Sequence, residues 1–217
     1  MQDRYLQMVT AEFNRRTLFK GAAGAAGAAG AATAFAAGGS GLFNLGFQFS
    51  QSVLAADMGD LDILNFALGL EHLENVMYQQ IVASGKLTGE AGDIAKTFGA
   101  FEQAHVDALT KALQGANYAN IAKQGTYKFP DFKSQADTAI LMFLNVVEPV
   151  GVGAYTGAAN KLKDKSLLGV AGAIVQVEAR QLAITQALAG NKTPVTGALS
   201  ESFTADEVNA KVKPLIG

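Results

Sequence analysis

Residues 101–109 read FEQAHVDAL. Glu102 and His105 are three apart, so on a helix they stand about one turn apart on the same face. The other residues on that face are Ala95, Phe98, Val106, Leu109 and Leu113. A carboxylate and one of the chain's two histidines therefore sit in a stripe that packing would otherwise fill with apolar side chains. The 3.6-residue period runs from about Glu90 to Gln114 and stops at Gly115, which reads as one long helix.

Three further segments carry the same period, and β-branched alternation is scarce. One runs from about Leu61 to Ser84 and ends at a glycine in SGK; Glu71 shares its apolar stripe with Leu64, Ala67, Leu68, Tyr78 and Val82. Another runs from about Ser134 to Lys163, with Glu148 beside Leu141, Leu144, Val152, Tyr155 and Ala159. The last runs from about Ser166 to Ala189, with Glu178 beside Ala171, Ile174, Val175, Leu182 and Thr185. The expectation is an all-α antiparallel four-helix bundle, read as up-down-up-down. Its one long connection is the stretch ANYANIAKQGTYKFPDF, whose aromatic residues suit a bundle end. A short C-terminal helix should start at TADE, where Thr204 and Glu207 form a capping box.

Each long helix thus centres one glutamate on its apolar face. Four carboxylates in one core would repel one another and lose hydration, at a cost of several kcal/mol each (roughly). A shared cation is the usual remedy, and carboxylates with an imidazole suit iron or manganese. The spacing also repeats. Tyr78 follows Glu71 at +7, as Tyr155 follows Glu148, and the second helix pair reads EARQ where the first reads EQAH. Gln181 therefore stands where a second histidine would. One glutamate from each of two helices, with Glu-x-x-His from each of the others, is the ligand pattern of dinuclear carboxylate bundles.

Nearby residues have blander readings. His72 points about 100° off the Glu71 stripe, as surface or packing. Glu74 lies about 60° off and is a fallback ligand or an acid held behind the ligands. Tyr78 and Tyr155 are core aromatics or partners of a ligand carboxylate. Arg180 should face outward, Pro149 should kink the third helix, and Gly151 and Gly153 permit close helix contact. Without a metal, His105 would be a core histidine bonded to a neighbouring carboxylate.

Composition narrows the classes. The 217 residues are 49% hydrophobic and 17% charged, which suits a globular domain. A net charge of -2 argues against nucleic-acid binding. The absence of cysteine excludes disulfides, thiolate metal sites and a cysteine nucleophile. The stretch NRRTLFKGAAGAAGAAGAATAFAAGGSG carries Arg15, Arg16, Phe19 and Lys20 ahead of a mildly apolar run, as a twin-arginine export signal does. An uncleaved membrane anchor is the rival reading. SVLAAD places Val53 and Ala55 at the specificity positions of a cleavage site, and AFAAG near Ala36 offers a second. The division expected is a signal and linker over 1–56 and a helical domain over 57–217.

DLDILNFALGLEHLENVMY, FEQAHVDAL, EPVGVGAYTGAA and AIVQVEARQLAI occur in order between about Asp57 and Lys213. With them the chain resembles the ferritin-like family of exported proteins that includes the desiccation-related proteins of bacteria and plants. The resemblance implies a ferritin-like bundle and, where every ligand is present, a dinuclear site of iron or manganese. Carried over, the ligands are Glu71, Glu102, His105, Glu148, Glu178 and Gln181. Gln181 departs from the family's histidine, so one metal position is expected to be weak or empty. The resemblance implies an exported protein of the periplasm or cell envelope that handles iron or peroxide or protects against stress. It allows oxidase- or peroxidase-type activity, membrane or envelope association through the N-terminal segment, and a homo-oligomer. The competing expectation is a non-catalytic structural or assembly module of the envelope.

Changing Arg15 and Arg16 together to Lys should leave the precursor in the cytoplasm on cell fractionation. Unchanged export would exclude the twin-arginine route.

Overall fold

The computed structural model describes residues 58–194 and 197–217; the expected signal and its cleavage sites lie outside them. Four long helices form: α1 (Asp60–Ser84), α2 (Gly89–Gly115), α3 (Asp137–Ala158) and α4 (Lys165–Leu188), followed by α5 (Ala205–Val212). Local chemistry sets their ends. Gly85 takes φ 67° and returns its N–H to Val82 O, which ends α1 where the SGK glycine stop was expected. Asp164 caps α4 through Ser166 N at 2.7 Å. Thr204 and Glu207 form the capping box of α5.

Helix α3 is shorter than the periodicity suggested. Asp131 caps a 3-10 turn over Phe132–Ser134, and Ala136 is extended, so α3 starts only at Asp137. At its other end the chain turns after Ala158, and the N–H groups of Lys163 and Asp164 donate to the Asp60 carboxylate. A side chain from α1 thereby fixes the α3–α4 link.

The topology corrects the up-down-up-down expectation. Asn75 bonds Gln103 and His105 bonds Glu71, so α1 and α2 run antiparallel. Tyr78 bonds Glu148 and Tyr155 bonds Glu71, so α1 and α3 also run antiparallel. Helices α2 and α3 are then parallel, and the order is up-down-down-up, with α1–α2, α3–α4, α1–α3 and α2–α4 as the antiparallel pairs. A parallel pair needs a crossover along the bundle, which is why the α2–α3 connection is long. Hydrogen bonds trace its path up α1. The Tyr118 hydroxyl donates to Asp62 (2.7 Å), Ala122 N donates to Asn65 (2.6 Å), and His72 Nε2 meets Ala122 O (3.3 Å). His72 thus holds the crossover. Farther along, Phe129 and Phe132 pack with Phe143 of α3, Tyr127 stacks on Phe129, and Lys128 N and Gly217 N pair this strand-like stretch with the C-terminus.

The core is two apolar clusters, and on α1, α2 and α4 a polar layer falls between them, while Glu148 of α3 is flanked by Val147 and Val150 of one cluster. On α2 one cluster includes Phe98 and the other begins at Val106, with Glu102 and His105 between. On α1 Leu64, Ala67 and Leu68 belong to one cluster and Leu73, Met77 and Ile81 to the other, on either side of Glu71. Glycines on α3 serve different neighbours than expected. Gly153 and Gly157 admit the C-terminal segment rather than another helix: Phe203 N donates to Gly153 O at 2.9 Å, and a Cβ on Gly157 would lie 1.9 Å from Phe203 O.

Gly157→Ala should therefore displace the segment around Phe203 and destabilise the fold by about 1–3 kcal/mol. Gly169→Ala on α4, where an added Cβ meets nothing within 4 Å, should instead stabilise by about 0.5–1 kcal/mol. Urea denaturation of both variants checks the pair.

Candidate metal centre

The polar layer holds five glutamates. Glu71 and Glu74 come from α1, Glu102 from α2, Glu148 from α3 and Glu178 from α4, none more than 3% exposed. His105 and Gln181 complete it, both buried. All six residues expected as ligands therefore meet in one layer, as do Tyr78, Tyr155 and Glu74. Arg180 is exposed.

His105 Nδ1 is the focus of the layer. It lies 3.0 Å from Glu71 Oε2, 3.1 Å from Glu178 Oε1 and 3.2 Å from Glu102 Oε2. One ring nitrogen carries at most one proton, yet three carboxylate oxygens converge on it. Glu71, Glu102, His105 and Glu178 offer ligand atoms that all lie within 4.8 Å of one another.

Each carboxylate divides its two oxygens in a way the repeat explains. Glu71 turns Oε2 to His105 and accepts from the Tyr155 hydroxyl on Oε1 at 2.5 Å. Its counterpart Glu148 accepts from the Tyr78 hydroxyl on Oε1 and keeps Oε2 buried without a donor. Each tyrosine thus holds the glutamate of the other half. Glu102 and Glu178 face both ways. Glu102 turns Oε2 to His105 while Oε1 accepts from Gln181 Nε2. Glu178 turns Oε1 to His105, and its Oε2 has no donor.

The electrostatics follow from burial. Burial pushes the Glu71 carboxyl up to about 7 against the pull of its His105 bond, and the Glu148 carboxyl up to about 8, with the Glu102 charge adding to it. Glu74 and Glu178 are driven well above the ordinary carboxylate range, again by burial first and then by neighbouring carboxylates. For Glu74 the leading neighbour is Glu178. Burial would depress His105, but its bonds to Glu102, Glu178 and Glu71 outweigh that and raise it to about 12.

The donor set fits a metal ion: it is oxygen-rich with a single imidazole. Within the layer, Glu74 Oε2, Glu148 Oε2, Glu178 Oε2 and Gln181 Oε1 meet no hydrogen-bond donor; among the described residues Asn145 Oδ1 and Gln186 Oε1 share that state elsewhere. Buried polar atoms are normally satisfied, so a cluster of exceptions at one layer points to an ion.

Sequence reasoning underrated two residues here. Glu74 is 3% exposed, although the helical wheel left it off the stripe. Gly151, read as a helix-packing residue, instead faces carboxylates: a Cβ there would sit 3.0 Å from both Glu74 Oε1 and Glu178 Oε2. The spacing Glu71 to Glu74 and Glu148 to Gly151 was the available signal.

No curated protein matches the chain. A family model described as a ferritin-like domain matches residues 59–191, which takes in α1 through α4 and every residue of the polar layer. The chain belongs to the ferritin-like domain family.

Proposed function

We propose that this protein binds two redox-active metal ions, iron or manganese, at unequal positions, and works outside the cytoplasm in iron or peroxide handling. The convergence of three carboxylate oxygens on His105 Nδ1 carries the reading, because it is an arrangement that a cation satisfies better than one proton does. Glu71, Glu102, His105 and Glu178 would hold the first ion; Glu102, Glu148, Glu178 and Gln181 would hold the second. When bound, such a pair supplies a redox centre for oxygen or peroxide. The chain's own residues define the rest. Tyr155 and Tyr78 orient the two end carboxylates, Glu71 and Glu148. The apolar clusters on either side keep bulk water from the layer. The N-terminal signal reading supports export, in the periplasm or cell envelope.

A non-catalytic envelope module is the second reading, favoured by Gln181 in place of a nitrogen ligand. Metal analysis of protein purified without chelators separates the two. About two ions of iron or manganese per chain supports the metal reading, and none supports the module. His105→Gln should remove most binding, since neither half would then have an imidazole. Gln181→His should strengthen the weaker position with little loss of stability, because the side chains are similar in volume.

Proton linkage gives a further test. Between 4.5 and the raised values of about 7 for Glu71 and about 8 for Glu148, the folded metal-free chain holds protons that the unfolded chain has released. Each such group lowers stability by ~1.4 kcal/mol per pH unit across its window. His105 acts the same way: its stabilisation is complete below 6.5 and is lost as pH rises to about 12. The metal-free protein should thus lose thermal stability steadily from about pH 5 to about pH 8. Added manganous ion should shrink that loss, because metal displaces the same protons. Melting curves that are flat or rising with pH for the metal-free chain would contradict the assignment.

A further inference from the structure

Positions 74 and 151 are equivalent in the repeat, each three residues beyond the end carboxylate of its half. Tyr78 reaching Glu148 and Tyr155 reaching Glu71 bring these two positions opposite each other across the α1–α3 contact. One carries a carboxylate and the other no side chain at all. The space left at Gly151 is filled from two sides: Glu74 Oε1 and Glu178 Oε2 both lie 3.0 Å from where a Cβ would stand, and Glu74 Oε2 lies 3.4 Å from it.

Glu74 Oε2 is buried and meets no donor. A glutamate serving only to pack would be expected to find one, or to be replaced by a neutral residue of the same size. Glu74 also stands outside the tight group formed by Glu71, Glu102, His105 and Glu178. Its neighbouring oxygen is the one on Glu178 that turns away from His105. That puts Glu74 on the side of Glu178 facing away from His105.

We infer that Glu74 is a ligand of the second metal position, an extra carboxylate that takes over the role a histidine at position 181 would play. The inference rests on the metal reading above and makes a specific addition to it. With Glu74 the second position has oxygen donors only: Glu74, Glu102, Glu148, Glu178 and the Gln181 amide oxygen. Such a set suits a hard ion such as manganous ion and disfavours ions that seek imidazole. Gly151 is then part of the site, since any side chain there would press Glu74 and Glu178 aside.

The test is calorimetric titration of the metal-free protein with manganous chloride, comparing the natural chain with Glu74→Gln, Gly151→Ala and the double variant Glu74→Gln with Gln181→His. Glu74→Gln keeps size and removes a buried charge, so its unchanged or raised melting temperature without metal shows that it folds. The natural chain should bind about two ions with unequal affinity. Glu74→Gln should keep the tighter and weaken the looser by more than about 100-fold, beyond the 10–100-fold that loss of an outer hydrogen-bonding partner produces. Gly151→Ala should weaken the same position, and the double variant should restore it. A smaller loss in Glu74→Gln, or the same number and affinities as the natural chain, would overturn the inference and leave the metal reading intact. A natural chain that binds no manganese would overturn the metal reading and the inference with it.

Discussion

A buried carboxylate oxygen with no donor is among the costliest groups a helical core can hold, several kcal/mol for each ion taken from water (roughly). Here five glutamates share one layer, and the rest of the layer is arranged around their charge. His105 sits where three of them meet. Tyr78 and Tyr155 each spend a hydroxyl on the end carboxylate of the opposite half. Gln181 donates to Glu102. Even so, oxygens remain unmatched, and burial pushes the Glu71 and Glu148 carboxyls up, favouring their protonated forms. A bundle selected for stability alone would have apolar residues there.

The near two-fold repeat explains both what the two halves share and where they part. Glu102 and Glu178 occupy equivalent places, and each turns one oxygen to His105 and the other away. The halves differ at two positions only within this layer's frame. His105 corresponds to Gln181, and Glu74 corresponds to Gly151. These differences fall on opposite halves: Glu74 belongs to the first helix pair and Gln181 to the second. Together the two differences make the layer asymmetric.

Much of this was legible in the sequence because helical periodicity is local. Four glutamates on apolar stripes and two tyrosines at the same offset fixed which residues share the layer, and the folded chain does bring them together. What escaped was non-local. The wheel placed Glu74 off its stripe because it considers one helix alone, whereas burial of that side chain depends on a glycine of α3 making room. The up-down-up-down order failed for a similar reason. Loop length signals a crossover, but the direction of α3 is set by contacts such as Tyr78 to Glu148 that link residues far apart in the chain. Gly153 was read as a helix contact because nothing local reveals that the segment at Phe203 returns to cover it.

The central claim, that the layer is built for a metal pair whose tighter member sits on His105, is tested most directly by anomalous X-ray diffraction from crystals grown with manganous ion. The account predicts two anomalous peaks roughly 3.5–4 Å apart, the stronger within bonding distance of His105 Nδ1 and flanked by Glu71, Glu102 and Glu178. No peak in the layer, with His105 still bonded to the three carboxylates, would contradict it.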